Sequence, residues 1–487
     1  MNIISISAEV APWSKTGGLG DVCGALPTAL ANRGHRVMTI SPRYKAYEDA
    51  WDTGVRSSFD GHEVEFFHSR QNGVDRVFVG HPALGRGGIY GGENGPYPDN
   101  WFRFSLLCRA AILATMELPL NGTVYSNGRD DASRETVFLF HDWHAGLVPA
   151  YLETARQWGL FGQSASALVI HNLAHQGTHN SDIYPKLGLP FEFFPALDMH
   201  GHINMLKGGM MLADAILTVS PTYAQEICTP QFGMGLDGLL RQQRSKVLGV
   251  LNGIDMKSWN PETDSSLTSN FSWRDLSGKS ACKAALQKKL GLPPRPKAPL
   301  FGFVSRLDFQ KGVDVLEQSL PFLVEKGAQV IMLGTGDPKL EAFLKRANHH
   351  PCVAGITEFS PSLARQITAG SDFLLMPSRF EPCGLTQQHA LRYGTVPIVH
   401  ATGGLKDTVQ SYNPNNQTGN GWAFSPLNAS NMNQACHWAI LTYDKSPAAF
   451  KGIQKRGMRL NRSWDIAAAT YERVFAHLLA KRWRQGL

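Results

Sequence analysis

The sequence predicts an α/β protein built on two parallel sheets, one in each half of the chain. Short apolar segments of strand length alternate with segments of helical periodicity, and parallel strands need such crossovers. Several of these strands end directly in polar residues, at the edge where open α/β sheets bind ligands. A chain of 487 residues exceeds one ordinary hydrophobic core, so we expect two or three domains.

The composition is typical of a globular enzyme. Hydrophobic residues make up 43% and charged residues 18%, and no stretch approaches the length of a membrane span. The net charge of +7 is spread without a dense Lys/Arg run, so neither nucleic acid nor membrane is an expected partner. Seven widely spaced cysteines without C-x-x-C favour a reducing compartment over disulfides or structural zinc. No signal or transit peptide precedes the first strand, as a mature form would also show.

The first half begins with a strand, a glycine-rich loop and a helix. Residues 3–10 are predicted as the strand and 12–20 as the loop. Asp21 is predicted to cap a helix that runs to about Asn32. Three later strands end in polar residues at His141-Asp142, His171-Asn172 and Ser220-Pro221.

A second series of strands begins at residue 300, and a polar, Pro-rich region separates it from the first. An amphipathic helix with Ser463 as its cap follows and is predicted to end near Leu479. The predicted organisation is an N-terminal Rossmann-like domain over 1–260, a connecting region over 261–298, a C-terminal Rossmann-like domain over 299–460, and a helix over 461–487 that crosses back to the N-terminal domain.

The loop around Lys15 matches neither a Walker A motif nor a dinucleotide fingerprint. Its glycines allow close backbone approach to a ligand, and Lys15 can meet a phosphate; a surface lysine in a flexible turn is the alternative. Residues 16–21, Thr-Gly-Gly-Leu-Gly-Asp, recur as Thr-Gly-Gly-Leu-Lys-Asp at 402–407. Each copy is predicted between a strand and a helix, although chance also explains a repeat this short.

Two turns in the second half combine charges with strand ends. Arg306 and Lys311 lie in one turn, where they suit a diphosphate leaving group; an ion pair between Arg306 and Asp308 is the alternative. Glu381 lies between a buried strand and a helix start, which favours an anion. A carboxylate beside an anion site suits a nucleotide sugar, and a bare loop is the alternative.

The histidines at 141, 144, 171 and 175 look like metal ligands at first sight, but neither cluster has the H-E-x-x-H spacing. Ligand hydrogen bonding is the preferred interpretation, and no metal site is predicted. A hydrolase triad is not supported either, because G-x-S-x-G is absent from the sequence.

Taken together, these motifs resemble the starch and glycogen synthases, which are retaining glucosyltransferases of the GT-B fold. The resemblance covers nearly the whole chain and rests on residues 15–22, 141–144, 171–177, 250–255, 305–312 and 377–386. Gly20 and the stretches 75–79, 99–108 and 278–292 are similar to plant and algal starch synthases. The resemblance implies two Rossmann-like domains facing each other across a deep cleft.

The resemblance also implies residue roles. The catalytic residues would be Lys15, Asp142, His171, Arg306, Lys311 and Glu381. The substrate-binding residues would be Thr16, Gly17, Gly18, Asp21, Asn252, Phe359, Cys383, Gly384, Leu385 and Thr386. Related transferases carry a second glutamate eight residues after the first, where this sequence has His389.

The implied activity is elongation of an α-1,4-glucan or maltooligosaccharide from ADP-glucose, without a cofactor. Other GT-B glucosyltransferases and a non-catalytic glucan-binding protein are the alternatives. The implied location is the plastid stroma or the starch granule for a plant or algal protein. It is the cytoplasm for a bacterial protein or for starch stored in the cytosol.

Overall fold

The computed structural model describes residues 1–93, 95–120, 123–125 and 135–485, and it divides the chain into two compact units. The first unit comprises Met1–Val219, Ala224–Asn252 and the segment that begins at Trp464. The second unit comprises Ser220–Tyr223 and Gly253–Ser463. Each unit is built around its own sheet.

The elements follow one another in a mostly alternating order. The strands are β1 Asn2–Ile6, β2 Arg36–Pro42, β3 Trp51–Phe59, β4 His62–Gln71, β5 Val74–Gly80, β6 Gly91–Gly92, β7 Gly95–Pro96, β8 Thr136–His141, β9 Ala165–Ile170, β10 Thr178–Asn180, β11 Asp198–Met199, β12 His202–Asn204, β13 Ala215–Thr218, β14 Val247–Gly249, β15 Leu300–Val304, β16 Gln329–Leu333, β17 Val353–Ile356, β18 Phe373–Met376, β19 Val396–His400 and β20 Trp422–Phe424. The α-helices are α1 Gly18–Asn32, α2 Asn100–Glu117, α3 Val148–Gln157, α4 Phe194–Leu197, α5 Met205–Leu212, α6 Pro221–Glu226, α7 Asp237–Gln242, α8 Ser277–Lys289, α9 Val313–Glu325, α10 Pro338–Ala347, α11 Pro361–Gly370, α12 Thr386–Arg392, α13 Gly403–Thr408, α14 Ala429–Lys445, α15 Pro447–Arg459 and α16 Trp464–Gln485.

The sheet of the first unit has nine strands in the order β14-β13-β9-β8-β1-β2-β5-β4-β3. Its strands are parallel except where β4 pairs with β3 and β5. Ile4 of β1 lies opposite Met38 on one side and Phe138 on the other. Every residue of β8 and β9 is buried, as expected for parallel strands covered on both faces. Their carboxyl ends therefore emerge from a rigid core.

The C-terminal helix α16 packs against α1 and the sheet strands β8 and β9. Its buried residues recur at helical spacing, with Ala468, Tyr471 and Phe475 in one stripe. Arg33, which directly follows α1, pairs with Glu472 at 2.6 Å. The helix therefore belongs to the first unit, although the second unit precedes it in the chain.

The sheet of the second unit has six parallel strands in the order β17-β16-β15-β18-β19-β20. Successive side chains alternate between its two faces. Phe301 and Met332 lie in a large cluster with residues of α9 and α14. Leu300 and Ile331, one residue earlier in each strand, pack with α8 and α11 on the other face.

The predicted connecting region, residues 261–298, is part of the second unit and contains helix α8. Two lysines of this helix are buried, and their ammonium groups bind oxygen atoms of other segments of the second unit. Lys279 donates to the carbonyl oxygen of Ala369 at 2.7 Å, and Lys283 binds Asp372 at 2.7 Å. A polar composition suggested a linker, but the polar groups here form buried contacts within the domain.

Two predicted helix ends also differ. Helix α1 begins at Gly18, so Asp21 lies in its first turn and does not cap it. The residue in the capping position is Gly17. Helix α16 begins at Trp464, directly after Ser463, and continues to Gln485 instead of ending near residue 479. Among the described residues, no helix is long and apolar enough to cross a membrane.

Candidate active site

In the first unit, Lys15 lies on the loop between β1 and α1. Its Nζ donates to Oδ1 of Asp21 at 2.7 Å, and both side chains are about half exposed. A carboxylate in the first turn of a helix is favourable, because the N-terminal end carries partial positive charge. An added Cβ at Gly17 or Gly18 would meet no atom within 4 Å, so open space borders this part of the loop.

The loop is held from below by Glu9, a residue that the sequence analysis missed. Its side chain accepts hydrogen bonds from the N–H and the hydroxyl of Thr16, each at 2.7 Å. Tyr90 donates its hydroxyl to the same carboxylate at 2.5 Å. One signal in the sequence could have found Glu9, since it stands between the apolar residues Ala8 and Val10. A carboxylate in such a place is stable only with hydrogen-bond partners.

His141, Asp142 and His171 converge, because β8 and β9 are parallel neighbours whose ends meet at one sheet edge. Nδ1 of His141 lies 2.9 Å from Nε2 of His171, and Ser5 Oγ lies 3.2 Å from Nε2 of His141. The backbone N–H of His171 donates to Oδ1 of Asp142 at 2.7 Å. The strand-end prediction placed these residues at one edge.

Burial sets the charges in this cluster. It lowers the pKa of His141 well below the usual range and lowers the pKa of His171 to about 3, so both imidazoles are neutral at pH 7. Burial also raises the pKa of Asp142 to about 7, although backbone N–H groups of His171 and Asn172 oppose the shift. Asp142 has φ 55°, an uncommon conformation that often marks functional sites.

Two further predicted positions belong to this unit. His144 is buried and stacks with Tyr90 at a ring distance of 4.9 Å. Asn252 is buried and is the last residue of the unit before the chain enters the second. In the part of the chain that the structure describes, no group of three or more His, Cys, Asp or Glu residues is placed to hold a metal ion.

In the second unit, Lys311 and Glu381 form a largely buried pair. Nζ of Lys311 donates to Oε2 of Glu381 at 2.7 Å, and the hydroxyl of Ser378 donates to the same oxygen at 3.0 Å. Gly312 has φ +66°, and an added Cβ would lie 1.9 Å from the carbonyl oxygen of Pro377. A glycine is therefore required where the two turns touch.

Arg306 is placed differently from its predicted partner Lys311. Its side chain is 67% exposed and lies 3.4 Å from Oδ2 of Asp308. The two residues of the predicted clamp thus have different partners in this structure, and the alternative ion pair is formed. Surface ion pairs of this kind contribute little, so Arg306 is available to a ligand.

The turn after Glu381 leads into helix α12, with Leu385 as the residue before it and Thr386 as its first residue. Gly384 has φ +68°, and the amide of Gln387 donates to its carbonyl oxygen at 2.8 Å. Cys383 is buried directly before this turn. The turn is therefore fixed by backbone conformation and by one buried side chain.

The repeated motif at 402–407 supports the Glu381 turn. Gly404 donates its N–H to the carbonyl oxygen of Glu381 at 3.0 Å. An added Cβ at Gly403 would lie 2.0 Å from that oxygen, and one at Gly404 would lie 1.9 Å from the carbonyl oxygen of Cys383. The first copy of the motif directly follows Lys15, whereas the second packs against the turn that carries Glu381.

Two remaining positions of the second unit carry rings. Phe359 lies between β17 and α11 and is 88% exposed. His389, at the place of the second glutamate, stacks on Trp259 with a ring distance of 3.6 Å and an interplanar angle of 7°. The side chain at this position therefore makes an aromatic contact with Trp259.

Comparisons with known proteins agree with this arrangement. The starch synthase catalytic domain matches residues 2–242, and the group 1 glycosyl transferase family matches residues 298–441. Starch synthase 1 of Arabidopsis thaliana is 46% identical over 97% of this chain and 76% of the relative. Soluble starch synthase 1 of Solanum tuberosum is also 46% identical, over 97% of this chain and 78% of the relative.

Solved structures show the same fold. The catalytic domain of starch synthase IV from Arabidopsis thaliana, bound to ADP and acarbose, has a TM-score of 0.86 and 32% identity, covering 98% of this chain and 99% of the other. Sucrose-phosphate synthase from Thermosynechococcus elongatus, at 16% identity and a TM-score of 0.58 over 99% of each chain, shares the fold alone. The chain therefore belongs to the starch synthase family, glycosyltransferases of the GT-B fold that transfer glucose to a glucan.

Proposed function

We propose that this starch synthase adds glucose from ADP-glucose to the non-reducing end of an α-1,4-glucan, with retention of the anomeric configuration. The observation that carries the proposal is the buried contact between Lys311 and Glu381. A cation and a carboxylate fixed side by side suit a donor that bears both a diphosphate and sugar hydroxyls. The ADP and acarbose bound to the Arabidopsis starch synthase IV domain support this choice of ligands.

In the second unit, Lys311 would stabilise the charge of the departing diphosphate. Its ammonium has three N–H donors, of which Glu381 takes one, so the others can reach phosphate oxygens. The exposed Arg306 would supply a planar fork for the same group. The amides of Leu385 and Thr386 would assist, and Phe359 would lie against the adenine.

The carboxylate of Glu381 would bind hydroxyls of the transferred sugar. Among the described residues, its two side-chain hydrogen bonds both reach Oε2, so Oε1 can accept from a hydroxyl. Cys383 and Gly384 would shape the pocket around that sugar. Sugar recognition by carboxylates is directional, because an ionised carboxylate accepts hydrogen bonds and donates none.

In the first unit, Lys15 and its loop, Thr16–Gly18, would contact the phosphate and the sugar of the donor. Asp21, which pairs with Lys15 in the structure, would lie near the reacting groups. Asp142, His171 and Asn252 would line the glucose and acceptor side. Because burial keeps His171 neutral at pH 7, it would act through hydrogen bonds and not as a cation.

The transfer is proposed to occur on the front face of the donor sugar. The bond between the anomeric carbon and the diphosphate oxygen breaks, and a bond from the acceptor hydroxyl oxygen forms on the same face. The hydroxyl proton passes to the departing diphosphate, so no protein carboxylate becomes covalently attached. The protein's contribution is then mainly to stabilise charge on the leaving group.

Transfer is proposed to need neither a cofactor nor a metal ion. Both ring nitrogens of His141 already have partners, Nε2 of His171 and Oγ of Ser5. Activity is expected to survive EDTA. Loss of activity with EDTA and its recovery with a divalent ion would contradict this proposal.

We propose that the protein acts in a plastid, because the relatives at 46% identity are chloroplastic or amyloplastic starch synthases. Recovery of the native protein in the plastid fraction is the expected result, and a cytosolic location would contradict it.

Binding to the starch granule is a further proposal, and sedimentation of the purified protein with washed starch granules tests it.

The function is tested by incubating the protein with labelled ADP-glucose and a maltooligosaccharide and sizing the products. We expect labelled chains longer by whole glucose units and release of one ADP per transfer. UDP-glucose in place of ADP-glucose tests the choice of nucleotide, and lower turnover is expected with it. Trimming the labelled end with an enzyme specific for α-1,4 bonds tests the stereochemistry.

The same assay separates the alternatives. A non-catalytic glucan-binding protein would be retained by immobilised glucan but would release no ADP. Another GT-B glucosyltransferase would release nucleotide and give a product that is not an elongated maltooligosaccharide. Either result would replace the proposal.

A further inference from the structure

The first unit contains a buried carboxylate, Glu9, to which the proposed reaction assigns no step. Glu9 lies three residues after β1 and is 2% exposed, and Ala8 and Val10 on either side are fully buried. An ionised carboxylate at such a place is costly unless donors surround it. Its hydrogen-bond partners therefore indicate what Glu9 does.

Both oxygens of Glu9 hold the loop that carries Lys15. Oε2 accepts from the backbone N–H of Thr16 at 2.7 Å and from that of Gly17 at 3.3 Å. Oε1 accepts from the hydroxyl of Thr16 at 2.7 Å. All three donors belong to the two residues that directly follow Lys15, so Glu9 fixes the backbone at the point from which that side chain projects.

Tyr90 holds Glu9 from the other side. Its hydroxyl donates to Oε1 at 2.5 Å, and its ring stacks with His144. The backbone oxygen of Tyr90 accepts from the side chain of Asn100, in the first turn of α2, at 2.8 Å. The loop is thus connected through Glu9 and Tyr90 to a helix of the core.

Val10 and Ser14 exchange backbone hydrogen bonds at 3.0 and 2.9 Å just before Lys15, so Glu9 is needed chiefly for the residues that follow Lys15. The ion pair between Lys15 and Asp21 is half exposed, and such pairs contribute little in water. An added Cβ at Gly17 or Gly18 would point into open space, so the backbone is not packed on that side. Glycines without packing lose much entropy on ordering, which a donor would otherwise have to offset on binding.

We propose that Glu9 is a positioning residue that holds the Lys15 loop preformed for the donor, with Tyr90 as its support. The inference rests on the proposed role of Lys15 towards the donor. Preformation places Lys15 correctly before binding, and such placement affects transfer more than it affects folding.

Steady-state kinetics of three variants test the proposal. Glu9→Ala should lower kcat/KM for ADP-glucose at least about tenfold, while the KM for maltooligosaccharide changes less than about twofold. Glu9→Gln should retain more activity, because its amide oxygen can still accept from the two N–H groups. The hydroxyls of Thr16 and Tyr90 can turn to accept from its amide N–H. Tyr90→Phe should have an intermediate effect, since the loop contacts remain.

A double-mutant cycle with Lys15→Ala identifies the route by which Glu9 acts. If Glu9 acts through Lys15, adding Glu9→Ala to Lys15→Ala should change kcat/KM by less than about threefold. Effects that multiply would show that Glu9 acts independently of Lys15 and would overturn the proposal. An unaltered kcat/KM in Lys15→Ala alone would also overturn it.

Hydrogen exchange gives a readout that does not depend on activity. The amides of Thr16 and Gly17 should exchange at least about tenfold faster in Glu9→Ala than in the wild type, with little change in Glu9→Gln. The amides of β8 serve as the internal control for an intact fold. Unchanged exchange at Thr16 and Gly17 would overturn the proposal even if the wild type transferred no glucose, an outcome that would separately reject the proposed function.

Discussion

Lys311 Nζ and Glu381 Oε2 lie 2.7 Å apart, although 70 positions separate the two residues in the chain. Asp308 holds the Lys311 turn by accepting its backbone N–H at 3.2 Å, and Ser378 holds the carboxylate. Because both side chains are largely buried, water and salt screen their interaction less than they screen a surface pair. Removing either partner leaves the other charge partly buried and unpaired.

Lys311→Ala is expected to lower turnover by about 10²-fold or more, because the donor diphosphate loses a charge-stabilising group in the transition state. The measurement is kcat with ADP-glucose at saturating maltooligosaccharide. Lys345→Ala, which removes an exposed lysine from α10 of the same unit, is the matched control and should behave as the wild type. Turnover like that of the wild type in Lys311→Ala would contradict the role given to this lysine.

The sequence predicted the fold and the positions of the strand ends, because both depend on local patterns. Parallel strands of apolar residues must be covered on both faces and must deliver their following residues to one edge. His141 and His171 meet for that reason. Family motifs then supplied the chemistry, which spacing alone does not specify.

Contacts between distant side chains could not be predicted in the same way. The polar composition of 261–298 suggested a linker, whereas Lys279 and Lys283 turn inward and bind buried oxygens of the second unit. Asp21 looked like a helix cap, but the helix begins earlier at Gly18, and Lys15 takes the carboxylate instead. In both cases a partner elsewhere in the fold decides where a polar side chain goes.

Gly404→Ala is expected to disturb the Glu381 turn. The added Cβ would lie 1.9 Å from the carbonyl oxygen of Cys383, so the backbone of one segment must move. We expect a fall in kcat of at least about tenfold and a lower Tm, since displacements of about 1 Å can be that costly. Gly162→Ala is the control, because an added Cβ there meets no atom within 4 Å. Normal kcat and Tm in Gly404→Ala would contradict a supporting role for this motif.

The buried Asp142 should make folding stability depend on pH. Burial raises its pKa to about 7 in the folded protein, above the usual value near 3.8 in the unfolded chain. The folded state therefore holds the proton more tightly, and stability falls as the pH rises from about 4 to about 7. Asp142→Asn should abolish this contribution.

Urea unfolding of wild type and Asp142→Asn at pH 5 and pH 7 measures the effect. Relative to wild type, the variant should gain about 2 kcal/mol between the two pH values, as linkage gives for this pKa difference. Following the amides of β8 and β9 by hydrogen exchange confines the result to the first unit. Parallel pH profiles for the two proteins would contradict the raised pKa.

Lys283 should be essential for packing α8 against the rest of the second unit. Its Nζ binds Asp372 at 2.7 Å and the carbonyl oxygen of Ala298 at 2.6 Å, in a nearly buried setting. Lys283→Met leaves the Asp372 carboxylate without its counter-ion, so the free energy of unfolding of this unit should fall by about 3 kcal/mol or more. Lys288→Met, at an exposed position of the same helix, should leave it nearly unchanged.

A second variant separates the lost charge pair from simple loss of packing. Adding Asp372→Asn to Lys283→Met removes the stranded charge, while the amide oxygen can still accept from the N–H of Leu300, which donates to Asp372 at 2.9 Å. The double variant should therefore recover at least about 1 kcal/mol of the loss, because an unpaired buried charge costs more than an unpaired neutral group. If the two losses simply add, the lysine stabilises α8 through its methylene packing and its carbonyl contacts, and the ion pair is not what joins 261–298 to the second unit.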